Sequence, residues 1–526
     1  MTTQSGRYNA QLVQDAGTVL HAGFSGTTAS EWMRRRLAAG EIGGCILFKR
    51  NIEDAEQVAA LTAGLREANP DVIVAIDEEG GDVTRFEVDR GSSYPGNLAL
   101  GVVDDPAATE QVARAIARDL RALGVTLNYA PDADVNANPD NPVIGVRSFG
   151  ADSSLVARHT AAYIRGMQNE GVAACAKHFP GHGDSSDDSH LDLPVIDLDE
   201  EGTLLHLAPF RAAIEAGAKA VMTAHVLYPR YGGSLPATMA HDVLTGLLRN
   251  ELGFGGLIVT DGIDMGSISG VYGVAEGTVK AIAAGADAIC WGGSEADEEE
   301  FLYLRTALVW AVREGRLSEE RLHEAAERNR AVGRWTSEQR AALPVLEPGS
   351  TAGIEVGLGA ARRALRVFGE LKPLTSPAHT VEFAPVLSFA IAEHTAWGVA
   401  EPLAELLPGT TAERIDAPTA DIESVGLMET RIVDSDAVVD VESVLTRAAG
   451  RPLVVVVRDL GRNPWMEAAV RGLLAERADA IVVEMGLPHG LVGQLAGEGF
   501  TVLCTHGASR VCGIAAAEAL VGRAAG

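Results

Sequence analysis

Eight short apolar runs recur along the first two thirds of the chain, and they constrain its fold more than any other feature. They occupy residues 18–24, 43–48, 72–76, 125–129, 172–176, 218–224, 257–260 and 286–291. Each is rich in Val, Ile, Leu and Ala, and none alternates with polar residues. A strand with one wet face alternates, whereas a strand covered on both faces does not, so these runs predict buried parallel strands. Amphipathic stretches with readable ends separate them. Asp105 is placed to cap a helix that Pro106 opens. Val112, Ile116, Leu120 and Leu123 then share one face before Gly124 stops it. Asp152 opens another helix, with Val156, Tyr163, Ile164 and Met167 on its apolar side and Gly171 at its end. Eight strand–helix repeats predict a closed (β/α)8 barrel of the TIM type. The competing open doubly wound sheet normally carries a glycine-rich dinucleotide turn, and none is present.

The pattern changes near Leu343, where LPVLEPGSTAG reads as a linker. A helix is expected over 354–368, and from about Thr380 strand-like runs resume: VEFAPVLSFAI, PLVVVVRD, AIVVEMG and FTVLCTH, with a helix over 466–477 among them. At 526 residues the chain is too long for one ordinary core. The division expected is a catalytic barrel over 1–340, a linker with a helix over 341–378, and a smaller αβα sandwich over 379–526.

A formal charge of −29 argues against nucleic acid and anionic membranes as partners, because their phosphates would repel this surface. No run is long enough to span a bilayer. The start MTTQSGRYNAQLVQDAG lacks the basic and apolar pattern of a secretory signal, and the five cysteines lack zinc-ligand spacing. A cytoplasmic protein with buried thiols and a small-molecule substrate is expected. The sequence sets no oligomeric state.

In such a barrel the chemistry lies just after each strand, so four segments stand out. AIDEEGGDVTRF (75–86) packs Asp77, Glu78 and Glu79 beside two glycines and Arg85, and its bland alternative is a charged turn. NPVIGVRSFG (141–150) sets Arg147 among apolar residues, where it could grip an oxygen or pair with Asp132 or Asp134. AKHFPGHGDSSDDSHLDLP (176–194) holds Lys177, His178, His182 and His190 with a row of aspartates. A metal site is one reading of it. A dyad is the other, since Asp188 stands two residues before His190 and a carboxylate can fix an imidazole as acid or base. LIVTDGIDMGSI (257–268) ends a strand on Asp261, placed for nucleophilic attack, with Asp264 better suited to cap the following helix. In the later part of the chain, VVVVRDLGRNPW (454–465) offers Arg458, Arg462 and Trp465 after a strand. They could reach toward the barrel mouth or form an ordinary strand-end loop.

Together, DEEGG with Arg85, IGVRSFG, KHFPGHGD followed by DSH, and TDGIDM resemble glycoside hydrolase family 3, in its β-N-acetylglucosaminidase branch. The resemblance covers about 250 residues of the barrel, while the later part matches only as an α/β sandwich. It implies that Asp261 is the nucleophile of a covalent glycosyl–enzyme, that His190 is the acid/base, and that Asp188 orients it. It also implies that Asp77, Arg85, Arg147, Lys177, His178 and Met265 bind the sugar, with no metal or cofactor. Retention needs the nucleophile and the acid/base group about 5–5.5 Å apart, which residues ending different strands of one barrel can meet. A neutral imidazole does not repel an anion, so inorganic phosphate could replace water as a co-substrate. The expected activity is exo-acting cleavage of terminal β-linked N-acetylglucosamine in the recycling of cell-wall or chitin-derived sugars. A β-glucosidase or bifunctional glycosidase of the same family is an alternative, and so is a metal-dependent hydrolase using the loop from His178 to His190. One departure from the family pattern is plain: the residue after the paired glycines is often Arg, and here it is Asp82.

Overall fold

Each of the eight apolar runs becomes a strand. The computed structural model describes residues 10–523 apart from 187–192, 294–295, 350–352, 393, 426–427 and 434–438, and gives only the backbone of 419–425 and 428–433. The strands are β1 (Leu20–Gly23), β2 (Gly44–Leu47), β3 (Ile73–Ile76), β4 (Leu127–Asn128), β5 (Ala173–Phe179), β6 (Ala220–Thr223), β7 (Leu257–Thr260) and β8 (Ile289–Trp291). Neighbours pair in parallel in the order β7-β6-β5-β4-β3-β2-β1-β8. A parallel bridge between Val259 and Ala288 closes the ring. The absence of alternation now has its cause: inward side chains such as Ile73, Leu127, Met222 and Val259 fill the barrel, and outward ones lie under the helices. Asp152 caps the helix Ser153–Asn169 by accepting the Leu155 amide at 2.7 Å, a contact of a kind that contributes about 1 kcal/mol. Asp105 likewise accepts the Ala107 and Ala108 amides ahead of most of the helix Pro106–Ala122.

The chain forms two compact units. The first comprises Met1–Glu79, Thr109–Ile144 and Ala151–Thr351, and the second comprises Gly80–Ala108, Gly145–Gly150 and Ala352–Gly526. Two of the motif-bearing segments that leave barrel strands are thus counted with the later part of the chain.

The second unit is built on a six-stranded sheet. Its strands are β9 (Arg366–Phe368), β10 (His379–Ala384), β11 (Thr411–Asp416), β14 (Leu453–Val457), β15 (Ile481–Glu484) and β16 (Thr501–Cys504). Strands β12 (Thr419–Val425) and β13 (Met428–Val433) form a separate antiparallel pair. The six-stranded order is β11-β10-β14-β15-β16-β9, parallel except for β9. Val444, Met466 and Leu495 pack on one face of the sheet, and Leu358, Leu403, Val511 and Leu520 on the other, giving an αβα sandwich. The helix expected over 354–368 ends at Ala364. Val367 and Phe368, a β-branched and an aromatic residue, pair instead with β16 as an edge strand. Among the described residues, no helix is long and apolar enough to cross a membrane. All five cysteines are free thiols.

Candidate active site

The first unit gathers Asp77, Lys177, His178, Asp261 and Met265 on its strand ends. Asp77 directly follows β3. Asn128 on β4 braces that turn, accepting the Glu78 amide at 2.9 Å and donating to the Glu78 carbonyl at 2.7 Å. Lys177, on β5, is buried, and its ammonium lies 2.8 Å from Asp77 Oδ1 and 2.7 Å from Glu79 Oε1. A buried ammonium is tolerated when carboxylates compensate it, so the turn and the lysine stabilise one another. The result is a rigid, charged corner that presents Asp77 beside an ammonium.

His178 is the next residue on β5. Its Nδ1 lies 2.7 Å from Asp134 Oδ2, in the loop after β4. A carboxylate only accepts, so this contact places the ring proton on Nδ1 and fixes the plane of the imidazole. Asp134 also accepts the His182 amide at 2.7 Å, and its own amide donates to Asp132 Oδ1 at 2.9 Å. Burial alone would raise the Asp134 carboxyl. The nearby His178 and the hydrogen bonds outweigh it and hold Asp134 below the ordinary carboxylate range. Burial lowers the His182 imidazole to about 4 against the pull of Asp134. Asp132, Asp134 and His178 are also the one group among the described residues whose ligand atoms, all within 4.8 Å of one another, could hold a metal ion. An ion there would compete with the 2.7 Å contact between His178 and Asp134.

Asp261 directly follows β7 and is partly exposed. Its amide donates to the Thr223 carbonyl on β6 at 3.3 Å, and its Oδ1 accepts the Gly262 amide at 2.8 Å. Its neighbourhood is legible in the buried groups around it. Burial pushes the Cys290 thiol well up, and the charges of Asp261 and Asp77 push it further while Lys177 opposes them. The Cys175 thiol responds to the same three residues. Because β3, β5 and β7 run parallel in one closed ring, Asp77, Lys177 and Asp261 lie at one shared end of the barrel. Met265 is buried and occupies the N-cap position of the helix Gly266–Tyr272 without a side-chain cap. Asp264 does not cap that helix. It stands one residue too early, and its carboxylate accepts the Gly293 amide at 2.8 Å after β8.

The remaining residues fall elsewhere. Arg85 and Arg147 belong to the second unit. Arg85 donates to the Ala390 carbonyl at 3.0 Å, and the Arg147 carbonyl accepts from Asn97 at 2.7 Å. Asp188 and His190 lie outside the described residues. Trp465, one of the residues that could have reached toward the barrel mouth, is a core residue packed against Phe383, and Arg458 is buried in an ion pair with Asp82.

Sequence reasoning passed over His225, just after β6. Its Nε2 lies 2.9 Å from the Gly262 carbonyl and its Nδ1 2.8 Å from Thr238 Oγ1. It thus braces the residue that follows Asp261. The signal was available, because His225 is a polar residue immediately after an apolar run, the same rule that singled out the other segments.

Residues 10–332 match the family model for the glycosyl hydrolase family 3 N terminal domain. A β-N-acetylglucosaminidase of this family from Paenibacillus sp. str. FPU-7 is 34% identical, with a TM-score of 0.83, covering 98% of this chain and 97% of that one. Beta-hexosaminidase A from Pseudoalteromonas piscicida is 35% identical over 328 residues, which are 57% of this chain and only 55% of that relative's length. A Beta-hexosaminidase from Xylella fastidiosa (strain M12) is 39% identical over 267 residues, 49% of this chain and 78% of that relative.

Proposed function

Because the chain belongs to glycosyl hydrolase family 3, we propose that it removes terminal β-linked N-acetylglucosamine with retention of configuration, through a covalent intermediate on Asp261. The observation that carries this reading is the sharing of one barrel end by Asp261 and the corner of Asp77, Lys177 and Glu79. A nucleophile needs a substrate fixed beside it, and buried charged groups with locked positions are suited to hold sugar hydroxyls. His178, its ring held by Asp134, suits the same task. The activity named for the Paenibacillus relative supports the acetamido sugar as substrate.

In this mechanism Asp261 attacks the anomeric carbon as His190 gives a proton to the leaving oxygen, forming a glycosyl ester. His190, oriented by Asp188, then takes a proton from the acceptor, whose oxygen displaces Asp261. The acceptor is water or inorganic phosphate, because a neutral imidazole does not repel an anion. The natural substrates proposed are cell-wall or chitin-derived fragments, and the five free thiols suit a reducing compartment.

The test is turnover of 4-nitrophenyl β-N-acetylglucosaminide and of the matching β-glucoside, with and without phosphate and with EDTA, with the sugar products followed by NMR. Faster release with phosphate and a sugar 1-phosphate would make phosphate the acceptor. Free sugar at a phosphate-independent rate would make it water. Either first product should be the β anomer. Asp261→Asn should lower kcat by about 10⁴-fold or more while sugar binding persists. Unchanged turnover in that variant would remove Asp261 as nucleophile, and loss of activity in EDTA would favour the metal-dependent alternative.

A further inference from the structure

The chain carries 72 acidic residues against 43 lysines and arginines, yet four arginines gather on the outer wall of the first unit. The helix Pro106–Ala122 bears Arg114, Arg118 and Arg121, whose spacing puts them on one face. All three turn to one carboxylate, Glu170, which ends the neighbouring helix Ser153–Asn169. Arg118 Nε lies 3.2 Å from Glu170 Oε1, Arg121 Nη2 lies 3.3 Å from Oε2, and Arg114 Nε lies 3.9 Å from Oε1. Arg114 also reaches Glu110 at 3.5 Å, and Arg165 approaches Glu110 at 3.4 Å from the facing helix. Glu170 stands three residues before β5 begins at Ala173, whereas Asp77 and Asp261 directly follow their strands. The cluster therefore lies at the end of the barrel opposite the candidate active site.

Structural pairing does not account for this many cations. One guanidinium neutralises Glu170, and one basic side chain in the last turn of the helix, here Arg121, complements its dipole. The rest are in excess, and like charges three or four residues apart on a helix repel one another. Nor do the two carboxylates use the donors on offer, since each guanidinium carries five N–H groups. The Nε and Nη1 of Arg121 and the Nε of Arg114 are buried and meet no acceptor at hydrogen-bond distance among the described residues. Burial lowers the Arg121 guanidinium from its ordinary value, Glu170 resists this, and the charge of Arg118 adds to it. The cluster is thus short of both acceptors and negative charge, and an oxyanion supplies the two together. Access is open, because Arg121 and Glu170 form a floor that is 11% and 10% exposed while Arg118 at the rim is 57% exposed.

We propose that Arg114, Arg118 and Arg121 form a binding site for a phosphate group, remote from the catalytic end, with Glu170 as a resident carboxylate that competes for the same donors. Four guanidiniums against two carboxylates leave two positive charges, which match the dianion that a phosphate group approaches at neutral pH. Planar guanidiniums at several angles suit its oxygens, each able to accept from a separate fork. The occupant is a small ion or molecule. A polyanionic surface would meet the whole charge of −29. A small anion inside the cluster feels mainly the local excess, since screening takes hold beyond about 8 Å at physiological ionic strength. The site does not depend on the activity proposed above.

Calorimetric titration of the full-length chain with inorganic phosphate, against sodium chloride at matched ionic strength, tests the proposal. The wild-type chain should bind phosphate at this site and show no matching response to chloride. Losing one charged donor should weaken phosphate at least about tenfold in Arg121→Gln and in Arg118→Gln. Glu170→Gln should act in the opposite direction and tighten phosphate, because it removes the competing carboxylate. An ion-pair cluster with a structural role alone predicts no gain in that variant. Should Arg121→Gln fail to fold, Arg121→Lys keeps the charge but loses the fork, and it should still weaken phosphate severalfold. A parallel titration with glucose 6-phosphate identifies the source of the group. Tighter binding than inorganic phosphate assigns the site to phosphorylated small molecules, and equal binding assigns it to the free ion. Phosphate taken up only at the catalytic end would be indifferent to these variants. Affinity unchanged in folded Arg121→Gln and Glu170→Gln would therefore overturn the proposal, as would a response to phosphate no different from that to chloride.

Discussion

His225 holds the peptide beside Asp261, the residue proposed as nucleophile. The Gly262 carbonyl can only accept, so His225 carries a proton on Nε2, and its Nδ1 lies 2.8 Å from the Thr238 hydroxyl. The imidazole thus links β6 to the peptide next to Asp261. Replacing it with alanine removes two hydrogen bonds from a buried setting, which costs about 1–3 kcal/mol of stability. We expect His225→Ala to lower kcat about 10- to 100-fold with a much smaller change in KM, as befits a group that orients the attacking residue rather than the sugar. Stopped-flow detection of 4-nitrophenol, with the melting temperature recorded in parallel, checks this. A folded variant with wild-type kcat would show that Asp261 keeps its position without this support.

At the scale of elements, the loops after β4 and β5 pack so closely that one glycine decides their fit. A Cβ on Gly183 would lie 1.8 Å from the Val135 carbonyl oxygen and 2.4 Å from its carbon, both backbone atoms that cannot turn aside. Gly183→Ala must therefore part the loop that carries Asp134 from the loop that carries His182 and from the end of β5 that carries His178. Overpacking of this kind typically costs about 1–3 kcal/mol, and kcat/KM should fall at least about tenfold as the His178–Asp134 contact opens. Thermal unfolding and kinetics on the same preparation would check both figures. The glycines of KHFPGHGD could be marked from the sequence as backbone necessities, but their opposing atoms could not. The same asymmetry runs through the molecule. Buried strands were legible because a run covered on both faces has no alternation, and the capping aspartates were legible because their rule is local. The contact of Asp134 with His178 was not legible, because it joins neighbouring strands of a closed ring across 44 positions, whereas His225 could have been marked as the polar residue after an apolar run although its partners could not. Residues 366–368 were misread as helix because nothing local tells that β16 offers an edge there. That the segment 80–108 counts with the second unit was also hidden, since it depends on contacts with residues far along the chain, among them the Asp82–Arg458 pair and the packing of the helix Asn97–Val103 against the helix Gly353–Ala364.

At the scale of the whole molecule, the buried histidines and Asp134 of the first unit act on acid stability with one sign, whereas the buried groups of the second unit pull both ways. In the first, burial holds His21 and His182 at about 4 and lowers His206 as well. An unfolded histidine takes up a proton near pH 6.5, so as pH falls from there toward 4 the unfolded chain binds protons that the folded unit refuses, and stability is lost. The depressed carboxyl of Asp134 acts in the same direction, because a lowered carboxylate also loses its contribution as pH falls through its folded value. In the second unit the terms oppose. Burial lowers His506 to about 4, which again favours higher pH. Burial also raises Glu484 to about 7, so the folded unit keeps a proton that the unfolded chain releases above its ordinary value, and this contribution is lost as pH rises toward 7. Glu382 and Asp82 are raised by burial too, with the same sign as Glu484. Acidification from pH 6.5 to 4.5 should therefore weaken the barrel strands more than the sheet of the second unit. Hydrogen exchange at both pH values, corrected for the intrinsic pH dependence of amide exchange, should show a larger fall in opening free energy for β1–β8 than for β10 and β14–β16. Equal losses in the two sets would mean that the histidines of the barrel do not govern its acid stability.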